Sequence, residues 1–263
     1  MIRPVSGVAK AAFMYYNPIM QYGKFAALYD GFMSGVDYDG WADYIAGFIP
    51  KGGEVFECAC GTGEISLRLA KKGFSVTASD ISQDMLMIAA AKQRAQGLAG
   101  AGLRFVRMDM CGFSLNKQAD CIIACCDGVN YLTGREQVKS FFACAYAGLK
   151  ENGLLLFDVS SRHKLKNVLG NNCFIDNGRE AAYMWQNTYD DESKLIRMEL
   201  SFFKKTGALY ERFDETHIQR AQSERELISW LEGAGFKAEA RSFMKDTPPK
   251  AEDERIQFIA RKI

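Results

Sequence analysis

Residues Val55 to Glu64 read Val-Phe-Glu-Cys-Ala-Cys-Gly-Thr-Gly-Glu, and this stretch limits the possible folds more than any other. A short apolar run ends in the carboxylate of Glu57, passes through small residues, and turns on Gly61 and Gly63. Immediately behind it Ile65 and Leu69 stand four apart, the spacing of a helix with one buried stripe. Strand, glycine turn and helix in that order predict the first βα unit of a doubly wound α/β domain, in which ligands bind beyond the carboxyl ends of the strands. Gly61 and Gly63 can adopt positive φ and bring bare backbone close to a ligand. Glu57, at the strand end, faces the same crevice. A carboxylate there suits a cofactor with a cationic end better than one with a pyrophosphate.

The dinucleotide fingerprint Gly-x-Gly-x-x-Gly needs a third glycine and a helix N-terminus open to phosphate. Here Ser66 holds the third position, and Glu64 would repel an anion approaching the first turn. A nicotinamide oxidoreductase is therefore disfavoured. The segment instead resembles motif I of the class I S-adenosylmethionine-dependent methyltransferases, acidic-x-(small)-x-Gly-x-Gly. That resemblance implies that Glu57 lies near the methionine amino group, with Gly61 and Gly63 packed on the cofactor.

Further segments extend the resemblance over about Val55 to Ser160. Phe74 to Asp80 alternates like a second strand and stops at an acid. The two oxygens of a strand-end carboxylate suit the paired hydroxyls of a ribose. The alternative role for Asp80, capping the next helix, is better filled by Ser82. Leu103 to Met110 reads as a third strand, and the family pattern implies that Asp109 meets the adenine amino group and Met110 the ring. Ala119 to Asp127 reads as a fourth strand leading to Gly128-Val129-Asn130-Tyr131, between cofactor and substrate, and Gly153 to Asp158 as a fifth. Ile81 and Cys125 are further expected cofactor contacts. Tyr22, in a Phe-Ala-x-x-Tyr-Asp region that resembles the cap of small-molecule members, is another.

The chain has 263 residues with a formal net charge of +1, which gives no global attraction to nucleic acid or anionic lipid. It lacks an appended basic domain and an Asn/Asp-Pro-Pro-aromatic motif, so nucleic acid is not the expected acceptor. No apolar run approaches the ~20 residues of a membrane span, and residues 1–10 carry no secretory h-region. Eight cysteines without a Cys-x-x-Cys pair, and only two histidines, fit buried thiols rather than disulfides or a metal site. A cytoplasmic location is expected.

Residues 1–50 read as a helical cap and 51–171 with 222–263 as a Rossmann-like, seven-stranded, mainly parallel α/β domain. Residues 172–221 break the βα alternation. Ile196, Met198, Leu200 and Phe202 alternate with mostly polar neighbours, and tight-turn residues recur at 177–178, 190–193 and 205–207. This predicts an antiparallel β insertion after strand five, forming a substrate lid.

Methyl transfer from a sulfonium is an in-line displacement on an activated electrophile, so alignment and water exclusion carry most of it. A base is still needed where the acceptor loses a proton. His217 is the candidate: Phe213, Glu215 and His217 share a strand face in a stretch that resembles the end of the insertion in bacterial sugar-amine N-methyltransferases. The alternative is a histidine bonded within the sheet. Tyr131 stands where related enzymes often place a histidine, and is a candidate to bind or orient the acceptor. The expected function is S-adenosylmethionine-dependent methylation of a small-molecule N or O acceptor. The alternative is a non-catalytic module that binds the same cofactor.

Overall fold

A computed structural model describes residues 26–179 and 181–263. Two short helices, α1 (Ala26–Phe32) and α2 (Tyr38–Ala46), precede an alternating series. It runs β1 (Glu54–Glu57), α3 (Glu64–Lys71), β2 (Ser75–Asp80), α4 (Gln83–Ala95), β3 (Leu103–Arg107), β4 (Ala119–Ala124), α5 (Arg135–Gly148) and β5 (Leu149–Ser160). After β6 to β9, the chain closes with α6 (Glu224–Gly233), β10 (Phe236–Ser242) and β11 (Arg255–Lys262).

The large sheet has seven strands in the order β10-β11-β5-β4-β1-β2-β3. β11 pairs antiparallel with both β5 and β10, and the remaining pairs are parallel. The seven-stranded, mainly parallel fold expected from the sequence is the one observed.

Strand alternation divides the core. Val55 and Val76 point to one face, where they meet Trp41 and Ile45 of α2 and Ile65 and Leu69 of α3. Phe56, Ile122 and Leu155 point to the other, against Val138, Phe141 and Phe142 of α5 and Leu227 and Leu231 of α6. Cover on both faces explains why the central strands lack polar alternation. Each fully buried aromatic or aliphatic side chain contributes about 1.5–3 kcal/mol, so these two faces dominate the stability of the fold.

The second sheet is a four-stranded meander, β6 (Cys173–Asn177), β7 (Ala181–Asp190), β8 (Leu195–Thr206) and β9 (Leu209–Arg220). All its pairs are antiparallel. The Asp190 carboxylate builds the β7–β8 turn by accepting from the Glu192 N–H (2.9 Å) and the Ser193 hydroxyl (2.8 Å). Its inner face has a small core of its own around Leu165, Tyr189, Ile196 and Met198. Phe32 of α1 packs edge-on against Tyr183 at 5.1 Å and tilted against Phe202 at 5.4 Å.

Several expected boundaries shift. β3 ends at Arg107, leaving Asp109 and Met110 in the following loop, because the Asp109 carboxylate accepts from the Cys111 N–H (2.8 Å) and makes a turn there. β4 ends at Ala124, since Cys126 and Asp127 have φ of +57° and +52°, which no strand accommodates. β5 starts at Leu149, directly after α5, rather than at Gly153. No helix among the described residues is long and apolar enough to cross a membrane.

Candidate active site

The turn after β1 is shaped by what the chain does with Glu57 and Asp80. Glu57 is buried, 2% exposed, and accepts a hydrogen bond from the Ser66 hydroxyl of α3. Burial pushes its carboxyl up to about 8, partly countered by the Ser66 bond and reinforced by nearby Asp80. The serine in place of the dinucleotide glycine thus serves as a donor to the buried acid. Asp80 ends β2 and accepts from the Gly61 N–H (2.8 Å) and the Ser82 N–H (2.8 Å), one on each oxygen. Burial raises its carboxyl, while these backbone donors pull it back. Ser82 is the N-cap of α4, accepting from Met85 N–H at 3.3 Å.

Gly63 plays a different part from Gly61. It caps α3 at φ +79°, and a Cβ there would lie 3.0 Å from the Phe105 ring and 3.1 Å from the Ala89 methyl. Only glycine permits that approach. Gly63 does not line the crevice, whereas Gly61 does.

The crevice encloses about 1150 Å³ of free space, its open mouth included. Of the residues expected from the sequence, Glu57, Gly61, Asp80, Ile81, Asp109, Met110, Cys125 and Tyr131 line it. Tyr22 lies outside the described residues. Tyr29, the tyrosine of the cap segment, also lines it, as does Tyr38, which sequence reasoning passed over together with the polar latch beside them. Asp30 of α1 accepts from the Thr62 hydroxyl (2.5 Å) in the glycine turn and from Lys92 (2.7 Å) of α4. Glu64 pairs with Lys92 and Arg68; burial raises its carboxyl, but those two hydrogen bonds outweigh it and leave it below the usual range. The only visible signal in the sequence was the Tyr29-Asp30 pair inside the cap segment.

At the opposite end, a 3-10 turn, Gly128–Tyr131, follows β4. Its start is pressed against the β1 turn, so that a Cβ on Gly128 would lie 3.2 Å from Cβ of Ala59. The Tyr131 phenol oxygen is 3.3 Å from Nδ1 of His217 on β9. His217 is 4% exposed and stands behind Tyr131 rather than on the crevice wall. Burial lowers its imidazole to about 4, which keeps it neutral at pH 7.

The surrounding seam is polar. Asn130 donates to the Arg220 carbonyl (2.9 Å) and the Ser160 carbonyl (3.1 Å), and accepts from the Ser160 N–H (2.9 Å). Gln222 donates to the Leu132 carbonyl (2.8 Å), and Gln219 to Asp127 Oδ2 (2.7 Å). Arg255 of β11 pairs with Asp127 (3.0 Å) and with Asp158 at the end of β5.

The donor set identifies the kind of cofactor that fits. The acidic groups on the wall, Glu57, Glu64, Asp80 and Asp109, stand among apolar Ile81, Met85, Met108 and Met110, and no Lys or Arg among the described residues lines it. A buried acid and bare glycine backbone suit a cationic amino-acid end. A carboxylate at a strand end suits sugar hydroxyls, and methionine side chains suit a flat base. A pyrophosphate would meet repulsion.

Comparison with known proteins agrees. A profile described as "Methyltransferase domain" matches residues 55–153. Over 247 residues the chain is 38% identical to "Putative methyltransferase YqeM" of Bacillus subtilis (strain 168), covering 92% of this chain and 98% of that one. An S-adenosylmethionine-dependent methyltransferase of Clostridium acetobutylicum ATCC 824, known from its crystal structure, superposes with a TM-score of 0.82 at 33% identity. That match covers 92% of this chain and 98% of the other. The chain belongs to the S-adenosylmethionine-dependent methyltransferases. CalS10 of Micromonospora echinaspora, solved with S-adenosylmethionine bound, shares the fold of this methyltransferase with a TM-score of 0.70 at 18% identity over 95% of this chain and 100% of its own.

Proposed function

We propose that this methyltransferase acts on a small-molecule nitrogen or oxygen acceptor, and that the four-stranded sheet, residues 172–221, is the lid over the acceptor. The observation that carries this reading is the seam between the β4 turn and the end of β9. Asp127, Asn130 and Tyr131 are bonded to Gln219, Arg220 and His217, which anchors the sheet beside the Tyr131 end of the crevice without any of its described residues lining the wall, and supports reading it as a cover for a small acceptor. The same fold serves an amino pentose methyltransferase, CalS10, which is consistent with an acceptor of this size.

In this reading S-adenosylmethionine supplies an activated methyl group on a sulfonium. Glu57 receives the amino end of the cofactor, and Asp80 keeps its free lone pairs for the ribose hydroxyls while Gly61 N–H and Ser82 N–H hold it in place. Asp109 and Met110 border the base, with Ile81 and Cys125 as further walls. Gly63 acts indirectly, by fixing the turn. On the acceptor side Tyr131 orients the nucleophile. His217 stands behind the phenol, so the acceptor's proton reaches it through Tyr131, whose oxygen accepts that proton as its own hydroxyl proton passes to Nδ1 of the neutral imidazole. Burial excludes water from the exchange.

The test is transfer of labelled methyl from S-adenosylmethionine to panels of amines, amino sugars, phenols and alcohols, run beside protein and nucleic-acid acceptors. Turnover with a small amine or hydroxyl compound is expected. Transfer to macromolecules alone would overturn the reading.

A further inference from the structure

Asp127 occupies a costly position. It and Cys126 both sit in the left-handed region, where an L-residue costs about 1–2 kcal/mol, although Asp tolerates it better than most. The side chain placed there makes two separate contacts. Oδ1 lies 3.0 Å from Arg255 Nη2, and Oδ2 accepts from Gln219 Nε2 at 2.7 Å. The Asp127 N–H donates to Asp158 (2.9 Å), whose carboxylate binds the same arginine. Arg255 also rests against a touching pair of rings, with its guanidinium carbon 5.4 Å from the Trp41 centroid and 5.5 Å from that of Phe243. Burial works against its charge, but Asp158 and Asp127 outweigh that and keep it charged.

Asp127 is therefore fixed to the core by two contacts, with Arg255 and Asp158, and among the described residues its side-chain link toward the second sheet is Gln219. Gln219 and His217 share a face of β9, roughly 7 Å apart along the strand. Asp127 and Tyr131 bracket the 3-10 turn, closed by the Asn130 N–H to Asp127 carbonyl bond (3.0 Å). The contacts Asp127–Gln219 and Tyr131–His217 are thus two rungs joining the same turn to the same strand.

We propose that Asp127, held by Arg255 and bonded to Gln219, is a positioning residue for methyl transfer, setting β9 against the β4 turn so that His217 meets Tyr131. This rests on the reading that the Tyr131–His217 pair serves the acceptor. An ångström of misplacement near the reacting atoms costs on the order of 10²-fold in rate, so a brace this close to the pair acts on turnover more than on cofactor affinity.

The test uses the whole 263-residue chain with isotope-labelled histidine. There are two histidines, so a His163→Gln spectrum assigns the His217 resonance. Tyr131→Phe should move that resonance, reporting the pair. Gln219→Met, close in shape but without the donor, should move it too and raise the His217 titration midpoint by at least one pH unit from about 4. Affinity for S-adenosylhomocysteine should stay within threefold. Arg255→Lys, which cannot bridge both carboxylates, should act in the same direction and replaces Gln219→Met should that variant not fold. A His217 signal moved by Tyr131→Phe but untouched by Gln219→Met and Arg255→Lys overturns the brace and leaves the pair standing. A signal indifferent to Tyr131→Phe removes the pair itself, and the brace with it. Once an acceptor is known, the Gln219→Met defect should appear in kcat with KM for the cofactor unchanged.

Discussion

Glu57 on the crevice wall and His217 behind Tyr131 are both buried, yet burial shifts them in opposite directions. At the β1 end the penalty falls on an anion, so the Glu57 carboxyl is held up to about 8 and is mostly protonated at neutral pH. At the β9 end it falls on a cation, so His217 is held down to about 4 and stays unprotonated. Glu57 is a neutral acid that can ionise when a cation arrives, whereas His217 is a neutral imidazole paired with Tyr131, which the same burial makes a weak proton acceptor on its own. Neither of these two groups is charged in the empty protein, while Glu64 on the same wall stays ionised beside Lys92 and Arg68.

This contrast can be broken first at His217. His217→Ala should lower turnover, with the first acceptor found, by ~10²–10⁴-fold while leaving S-adenosylhomocysteine affinity near wild type. Rates from methyl-transfer assays and calorimetric titrations would show the split. Equal loss in both would mean that the β9 end also builds the cofactor site.

At the other end, Asp80→Ala should weaken cofactor binding by roughly 1–3 kcal/mol, the range for unpairing buried polar groups. The fold should survive, since Ser82 still caps α4. Wild-type affinity by calorimetry would reduce Asp80 to a support for the Gly61 turn.

Glu57→Gln sharpens the comparison, because stability and binding should move in opposite directions. The folded carboxyl titrates near 8, well above the 4.5 of a free side chain. The native state therefore holds a proton that the unfolded chain releases, and stability is lost as pH rises from about 4.5 toward 8. Glutamine cannot ionise and still accepts from Ser66. The variant should be more stable at pH 7 by roughly 1–3 kcal/mol, with the advantage gone at pH 4. It should also bind S-adenosylmethionine less tightly. A melting series over pH that shows no crossover would indicate that Glu57 is ionised in the free protein.

The smallest effect is a proton count. If the cofactor's cationic end ionises Glu57, binding at pH 7 should release up to about one proton, and affinity should rise by at most about tenfold per pH unit below 8. Calorimetry in buffers of different ionisation enthalpy would register it, and Glu57→Gln should not release it.

The two ends also differed in how far the sequence disclosed them. Glu57, the glycine turn and Asp80 fall within about 25 residues, and each sits at a boundary marked by a change in hydrophobic pattern. A strand-turn-helix reading was enough to bring them together. Gly63 shows its limit: the motif marked the glycine, but only the packing shows the close approach of Phe105 and Ala89 that a Cβ there would obstruct. The Tyr131 end is assembled from distant segments. Tyr131 and His217 are 86 residues apart, Asp127 and Gln219 92, and Asp127 and Arg255 128. The strand face carrying His217 was readable by alternation. Gln219 lies on the same face but looked like any polar residue near a strand end. Arg255 looked like the start of a closing strand. Nothing local distinguishes a side chain whose partner is a hundred residues away.

The small core around Leu165, Tyr189, Ile196 and Met198 has a consequence for descent and for engineering. That core is separate from the two that flank the large sheet, and the join to the β4 turn is made of hydrogen bonds more than interlocked apolar surface. Apolar interlocking is unforgiving, because a change on one side demands a matching change on the other. A polar seam asks only that a few donors and acceptors recur at the right stations. If the β6–β9 meander is the acceptor lid proposed above, its inner surface can be recast for a new acceptor while the βα turns around Glu57 and Asp80 stay as they are.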